Sequence, residues 1–236
     1  MKQKHLILIL IITSLIFLSY YAAQPNIKNL KEQVSPTVSV YPSPKTLNGN
    51  LSLIDDNNKS VSLSTIANNK WSILYFGYTS CPDVCPIDLA ILNQTVGKMN
   101  QAEKLQVVFI SVDPDRDVGK LTKFVGRFNA DFVGLSAKDE DLRKLTKALG
   151  VYHEIAQIKQ RSSHDHANHA PKADHTKMTM HMEGHANHAP KSDYLIDHTA
   201  SYLLLNPNLE LVGLLTNPHN AKKMAPALDL ILETLD

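Results

Sequence analysis

The sequence predicts an α/β layered domain, and two observations carry that prediction. Short apolar runs alternate with longer amphipathic ones across residues 46–236, the pattern of strands followed by helices. Both cysteines, Cys81 and Cys85, sit together just after an apolar run. A cysteine pair at the first strand-to-helix junction makes the domain thioredoxin-like, of the peroxiredoxin type. The roughly 190 residues involved suffice for one domain with a substantial core.

The elements are expected in this order. Lys2, Lys4 and His5 precede an apolar run at residues 6–23, broken only by Thr13, Ser14, Ser19 and the hydroxyls of Tyr20 and Tyr21. A positive start before such a run reads as N-terminus inside and remainder exported. The run approaches the roughly 20 residues that span a bilayer, and Tyr21 stands where a signal-peptide cleavage site prefers a small residue. Residues 1–5 are therefore expected as a cytoplasmic tail and 6–23 as one uncleaved N-terminal transmembrane helix. That places the domain on the periplasmic side of the inner membrane. Residues 24–45, with four prolines and little periodicity, read as a tether.

Within the domain at 46–236, residues 48–63 are expected to form an N-terminal hairpin. Residues 71–76 read as a buried strand by length and flanks, and 106–112 as a second. Between them Ile87, Ile91, Leu92, Val96 and Met99 recur at helical spacing. Further helices are expected at 118–128, 139–149 and 219–235. Further strands are expected at 132–135, 151–155, 202–205 and 209–215, the last two joined at Asn206-Pro207-Asn208 as a hairpin.

Residues 160–192 break this pattern. They lack apolar periodicity and hold seven of the eleven histidines, and the heptapeptide HANHAPK occurs twice, at 166–172 and 185–191. This composition is expected of a disordered, low-complexity insert. His164, His166, His169, His175, His181, His185 and His188, with Met178, Met180 and Met182, form a mixed imidazole and thioether tract. Thioethers prefer copper(I), whereas imidazole accepts copper, nickel or zinc, so the tract reads as an accessory metal-recruiting segment. The alternative is a solvated loop with incidental metal affinity. Charge excludes another class of function: 24 Lys and Arg against 23 Asp and Glu leave a net +1, without the basic stripe of a nucleic-acid partner.

Cys81 and Cys85 can close a disulfide or clamp one soft metal ion. Pro86 cannot donate a backbone hydrogen bond and fits best at the first helical position. This predicts Cys85 as N-cap and Cys81 in the preceding turn, both sulfurs near the positive helix end, where thiolate is favoured. A purely structural disulfide across so short a loop would constrain the unfolded chain little. Two thiolates leave a copper(I) ion under-coordinated, and a neutral imidazole would complete a trigonal site. His198, beside Asp197 and just before the strand at 202–205, is the candidate.

The motif GYTSCPDVCP at residues 77–86 resembles that of the Sco/SenC copper chaperones of cytochrome c oxidase assembly. So do SVDPDRD at 111–117 and Asp197-His198-Thr199 leading into Tyr202-Leu203. The resemblance implies a membrane-tethered thioredoxin-like domain that binds one copper through Cys81, Cys85 and His198. It implies delivery to the CuA centre of the copper-bearing oxidase subunit, with other copper chaperones as a further partner class, and binding rather than enzymatic turnover. The alternative is a thiol-disulfide reductant that keeps the subunit's cysteines, or other exported thiols, reduced through Cys81 and Cys85. A peroxidase reading is weakened because Tyr78 stands where that activity would require a Thr three residues before the reactive Cys. Asp113, Arg116 and Asp117 match the family's acidic segment and are expected to shape the site or a partner surface. Their other reading is a helix N-terminus, with Asp113 as cap and Asp117 in the first turn. The insert is where the chain departs from the family pattern.

Overall fold

The computed structural model describes residues 5, 11–15, 17–18, 27–47, 52–156 and 194–236. The domain begins with α1 (Ile27–Val34), β1 (Val38–Lys45), β2 (Ser52–Ile54), β3 (Ser60–Ser62) and α2 (Leu63–Ala67). Its centre is β4 (Trp71–Gly77), α3 (Val84–Val96) and β5 (Leu105–Ser111), followed by α4 (Pro114–Asp117), α5 (Leu121–Val125), β6 (Val133–Leu135) and α6 (Asp139–Leu149). Then come β7 (His153–Ala156), β8 (Leu195–His198), β9 (Tyr202–Leu205), β10 (Leu211–Leu215) and α7 (Ala221–Leu235).

Six strands form one sheet in the order β1-β10-β9-β4-β5-β6. β4 is buried along its whole length, as its continuous apolar run requires of a strand covered on both faces. It runs parallel to β5, from Trp71 beside Leu105 to Gly77 beside Ser111, with α3 as the crossover. β9 pairs antiparallel on its other side and turns into β10, after which α7 closes the chain. This βαβ unit followed by a β-hairpin and a helix is the thioredoxin-like arrangement. β2 and β3 pair as a separate hairpin, and β7 with β8 as another two-stranded ribbon.

The two-residue period of a strand sorts the core into two layers. Ile73 and Tyr75 of β4 join Leu30, Leu89, Leu92, Leu228 and Ile231 from α1, α3 and α7 on one face. Leu74 and Phe76 join Leu63, Leu142, Leu145 and Leu149 from α2 and α6 on the other. Leu89 and Leu92 are fully buried; each contributes about 2 kcal/mol and clamps α3, the helix that carries Cys85, onto the sheet.

Three expectations are corrected. Among the described residues no helix is long and apolar enough to cross a membrane, which overturns the single N-terminal transmembrane helix. Residues 27–45, expected as part of a tether, form α1 and β1 instead. Leu30, Val34, Val38 and Val40 are buried, and β1 pairs antiparallel with β10 at the sheet edge, so a few apolar side chains outweigh the prolines around them. Of the helix expected at 118–128 only α5 (Leu121–Val125) forms, and Gly119, with φ 91°, separates it from α4. The carboxylate of Asp56 then accepts from the backbone N–H groups of Gly119, Leu121 and Thr122, capping α5 from a distant loop. The His and Met tract at 160–192 lies outside the described residues.

Candidate metal centre

The Cys loop leaves the sheet at Gly77, and only glycine fits there. A Cβ at Gly77 would lie 2.8 Å from Cys85 Sγ and 2.8 Å from the Phe109 ring, so its absence lets the first turn of α3 press against the strand end. Thr79 is held by Asp117: the carboxylate accepts from Thr79 N–H (2.8 Å), from Thr79 Oγ1 (2.6 Å) and from Ser111 Oγ (2.6 Å). Asp117 is fully buried, so three donors offset the cost of its desolvation. It ties the Cys loop to the end of β5.

The start of α3 differs from expectation. Asp83, not Cys85, occupies the N-cap position, and it makes no side-chain capping bond. Cys85 is in the first turn, with Pro86 after it. That is tolerated because the first four helical N–H groups have no intrahelical acceptor to lose. The capping acceptor is instead the Cys81 sulfur, which accepts from Cys85 N–H at 3.4 Å. The two cysteines are free thiols, Cys85 buried and Cys81 partly exposed.

His198 arrives from the end of β8. Its Nε2 lies 3.4 Å from Cys85 Sγ and its Nδ1 3.1 Å from the Thr199 carbonyl oxygen. A carbonyl can only accept, so Nδ1–H donates to it and Nε2 is the ring nitrogen turned to the sulfurs. Tyr75 and Tyr78 each meet the imidazole edge-on, at 6.3 and 6.0 Å between centroids. The ligand atoms of Cys81, Cys85 and His198 all lie within 4.8 Å of one another. A cavity opens beside them, walled by Tyr78, Pro82, Val84 and Leu195, so the group is reachable from one side.

Proton occupancy within the pair is unequal. The Cys85 thiol donates to Cys81, and with help from His198 and the N–H groups of Cys85 and Asp83 it pulls Cys81 down to about 3 against the effect of burial. The same hydrogen bond and burial push the Cys85 thiol up. One thiolate and one thiol therefore face the imidazole. Two soft sulfurs and one imidazole nitrogen suit a single soft ion such as copper(I) in trigonal coordination.

Asp113 and Arg116 do not touch this group. Asp113 sits at the N-cap position of α4 but makes no capping bond; its carboxylate pairs with Arg116 Nε and accepts from the Tyr194 hydroxyl (2.8 Å). Asp117 is likewise no mere first-turn residue, given its hold on Thr79. Two features carried no sequence signal. Beneath Cys85, one turn further along α3, buried Asp88 pairs with fully buried His219 at 3.0 Å, whose ring stacks on Tyr202 at 3.8 Å. Tyr194 borders the insert, and nothing in its neighbourhood in sequence pointed to Asp113.

The family model described as SCO1/SenC matches residues 40–187. Protein SCO1 homolog 1, mitochondrial, of Arabidopsis thaliana is 32% identical over 143 residues, covering 58% of this chain and 42% of that protein. The aligned chain spans about half the length of the curated relatives it matches first. The crystal structure of Arabidopsis thaliana ScoI with copper bound superposes with a TM-score of 0.60 at 26% identity, covering 80% of this chain and 99% of that one. The solution structures of apo Sco1 protein from Thermus thermophilus give 0.60 at 27% identity, covering 85% and 96%. With more than half of its length matched by the family model, and with the Sco fold around its two cysteines, the chain belongs to the SCO1/SenC family.

Proposed function

We propose that this protein is a copper chaperone. Cys81, Cys85 and His198 hold one copper(I) ion as cargo and deliver it to the CuA centre of the copper-bearing subunit of cytochrome c oxidase, with other copper chaperones as a further partner class. The observation that carries this reading is the convergence of two sulfurs and one imidazole nitrogen within 4.8 Å beside an open cavity. The chemistry of that donor set favours copper(I) over harder ions. The related ScoI structure, solved with copper bound, supports the same cargo here. Binding and release, not turnover, is the role. The apolar run behind Lys2 and Lys4 supports work on the exported, periplasmic side, and the tract at 160–192 is read as recruiting further metal.

The test is a copper(I) titration of the reduced full chain against a competing chromophoric chelator. One tight site per chain is expected, lost in Cys81→Ser and in Cys85→Ser. Unchanged stoichiometry and affinity in both variants, on a background lacking residues 160–192, overturns the reading.

A second reading is favoured by the free thiols and their unequal protonation. A Cys81 thiolate can attack a partner disulfide, and Cys85 can then resolve the mixed disulfide. The two thiols here become a disulfide while the partner's disulfide becomes two thiols. His198→Ala separates the readings: copper affinity falls, whereas exchange with a peptide disulfide persists.

A further inference from the structure

The thiols and the imidazole ride on different pieces of the fold. The Cys loop is fixed by the six-stranded sheet, but His198 ends the β7–β8 ribbon, which lies outside that sheet. Ile196 of β8 is buried in the core, and the polar contacts at the root of the ribbon converge on one further side chain, Arg116. Tyr194, the residue before β8, has the Arg116 guanidinium over its ring at 3.6 Å from the centroid. Its carbonyl oxygen accepts from Arg116 Nη1 at 3.1 Å, and its hydroxyl donates to Asp113 Oδ1 at 2.8 Å. Asp113 in turn pairs with Arg116 Nε, and the two side chains are only 3% and 11% exposed.

Arg116 also reaches the other way. Its guanidinium lies 5.8 Å from the Tyr78 ring centroid, within cation–π range, and Tyr78 meets the His198 ring edge-on at 6.0 Å. Tyr194 at the root of the ribbon, Arg116, Tyr78 in the Cys loop and His198 thus form one continuous line of contacts. A Lys cannot replace this arrangement, because it lacks both the planar face and the fork.

We propose that Arg116, pinned by Asp113, is a positioning residue that holds the ribbon against the Cys loop and so keeps His198 within reach of the two sulfurs. The proposal rests on the copper(I) reading above and assigns Arg116 no contact with the ion. It acts on the third ligand alone.

The test uses the full chain and copper(I) under chelator competition. Arg116→Gln weakens copper(I) affinity about 10–100-fold, the usual cost of losing a group that orients a metal ligand. In a His198→Ala background the same substitution costs nothing further, because the ligand it positions is gone. Tyr194→Phe, a milder change that keeps the ring and removes the bond to Asp113, weakens binding by a smaller factor. Arg116→Lys does not restore affinity. In the metal-free reduced chain, hydrogen exchange quickens in peptides of β7 and β8 in Arg116→Gln and Tyr194→Phe, while β4 and β5 stay at wild-type rates. Wild-type affinity in Arg116→Gln, or an equal loss with and without His198, overturns the proposal. Should the wild-type chain bind no copper(I) through its cysteines, the chaperone reading fails, and the exchange pattern still decides whether Arg116 holds the ribbon.

Discussion

Cys81 and Cys85 are chemically unlike although they sit in one motif. The Cys81 sulfur takes a hydrogen bond from the Cys85 thiol and caps the α3 N-terminus, so it is a thiolate down to about pH 3. Iodoacetamide labelling of the reduced chain is expected to modify Cys81 first, at a rate nearly flat from pH 5 to 8. An ordinary thiol would speed up about tenfold per unit over that range, because the thiolate is the nucleophile. Labelling of Cys85 first, or a midpoint near 8.5, contradicts this assignment. Gly77 is the second decisive residue. In Gly77→Ala the added methyl must displace the Cys85 sulfur or the buried Phe109 ring, an overpacking cost of about 1–3 kcal/mol. Thermal melts should show that loss, and copper affinity should fall with it, since one of the displaced atoms is a ligand. A wild-type melting temperature in this variant would mean that α3 does not press on the strand end.

At the scale of elements, the β7–β8 ribbon both carries His198 and brackets the insert. Its register places Ala156 opposite Leu195 and His153 opposite His198, so the residues flanking 157–193 are already neighbours. Joining them across a short turn costs little loop entropy, and residues 160–192 hold almost no large aliphatic residue to withdraw from a core. Deleting 160–192 is therefore expected to leave the melting temperature within a few degrees of wild type and the tight copper(I) site intact. Weaker copper(II) or zinc sites should disappear, and in the full chain these should fade below roughly pH 6, because a ligating imidazole must be neutral. A deletion variant that unfolds, or that still takes up the same total metal, refutes the assignment of 160–192 as a dispensable metal tract.

Over the whole molecule, a copper(I) ion held by Cys81, Cys85 and His198 would bridge the Cys loop at the end of the sheet and the β7–β8 ribbon. Any ligand that binds only the folded chain stabilises it, by about 4 kcal/mol when its concentration is a thousand times its dissociation constant. For a domain of 150–250 residues each kcal/mol raises the melting temperature by roughly 2–4 °C. Copper(I) at saturation should therefore raise the midpoint of the reduced chain by about 8–16 °C. A chelator should reverse the rise, and Cys81→Ser should abolish it. No shift at saturating copper(I) would show that the converged sulfurs and imidazole are not a binding site.

The sequence by itself determined the layered fold, because strands buried on both faces must read as unbroken apolar runs. Trp71 to Phe76 and the helical spacing from Ile87 to Met99 leave little other choice. It also singled out the three residues whose ligand atoms the fold brings within 4.8 Å of one another, through the cysteine pair and the family-like motif around His198. Local pattern failed where a few long-range contacts outvote it. Residues 27–45 read as a proline-rich linker, yet four buried side chains and an edge pairing with β10 order them. Pro86 marked a helix start two residues late, because a neighbouring sulfur rather than a side-chain oxygen caps α3. Asp113, Arg116 and Asp117 could be read as a helix start or as site-shaping residues with equal ease. Only the tertiary structure separates them: Asp117 holds the Cys loop, whereas Asp113 and Arg116 hold the ribbon through Tyr194. Tyr194 lies 78 residues from Arg116, and no local spacing encodes a contact made only when two distant segments fold together.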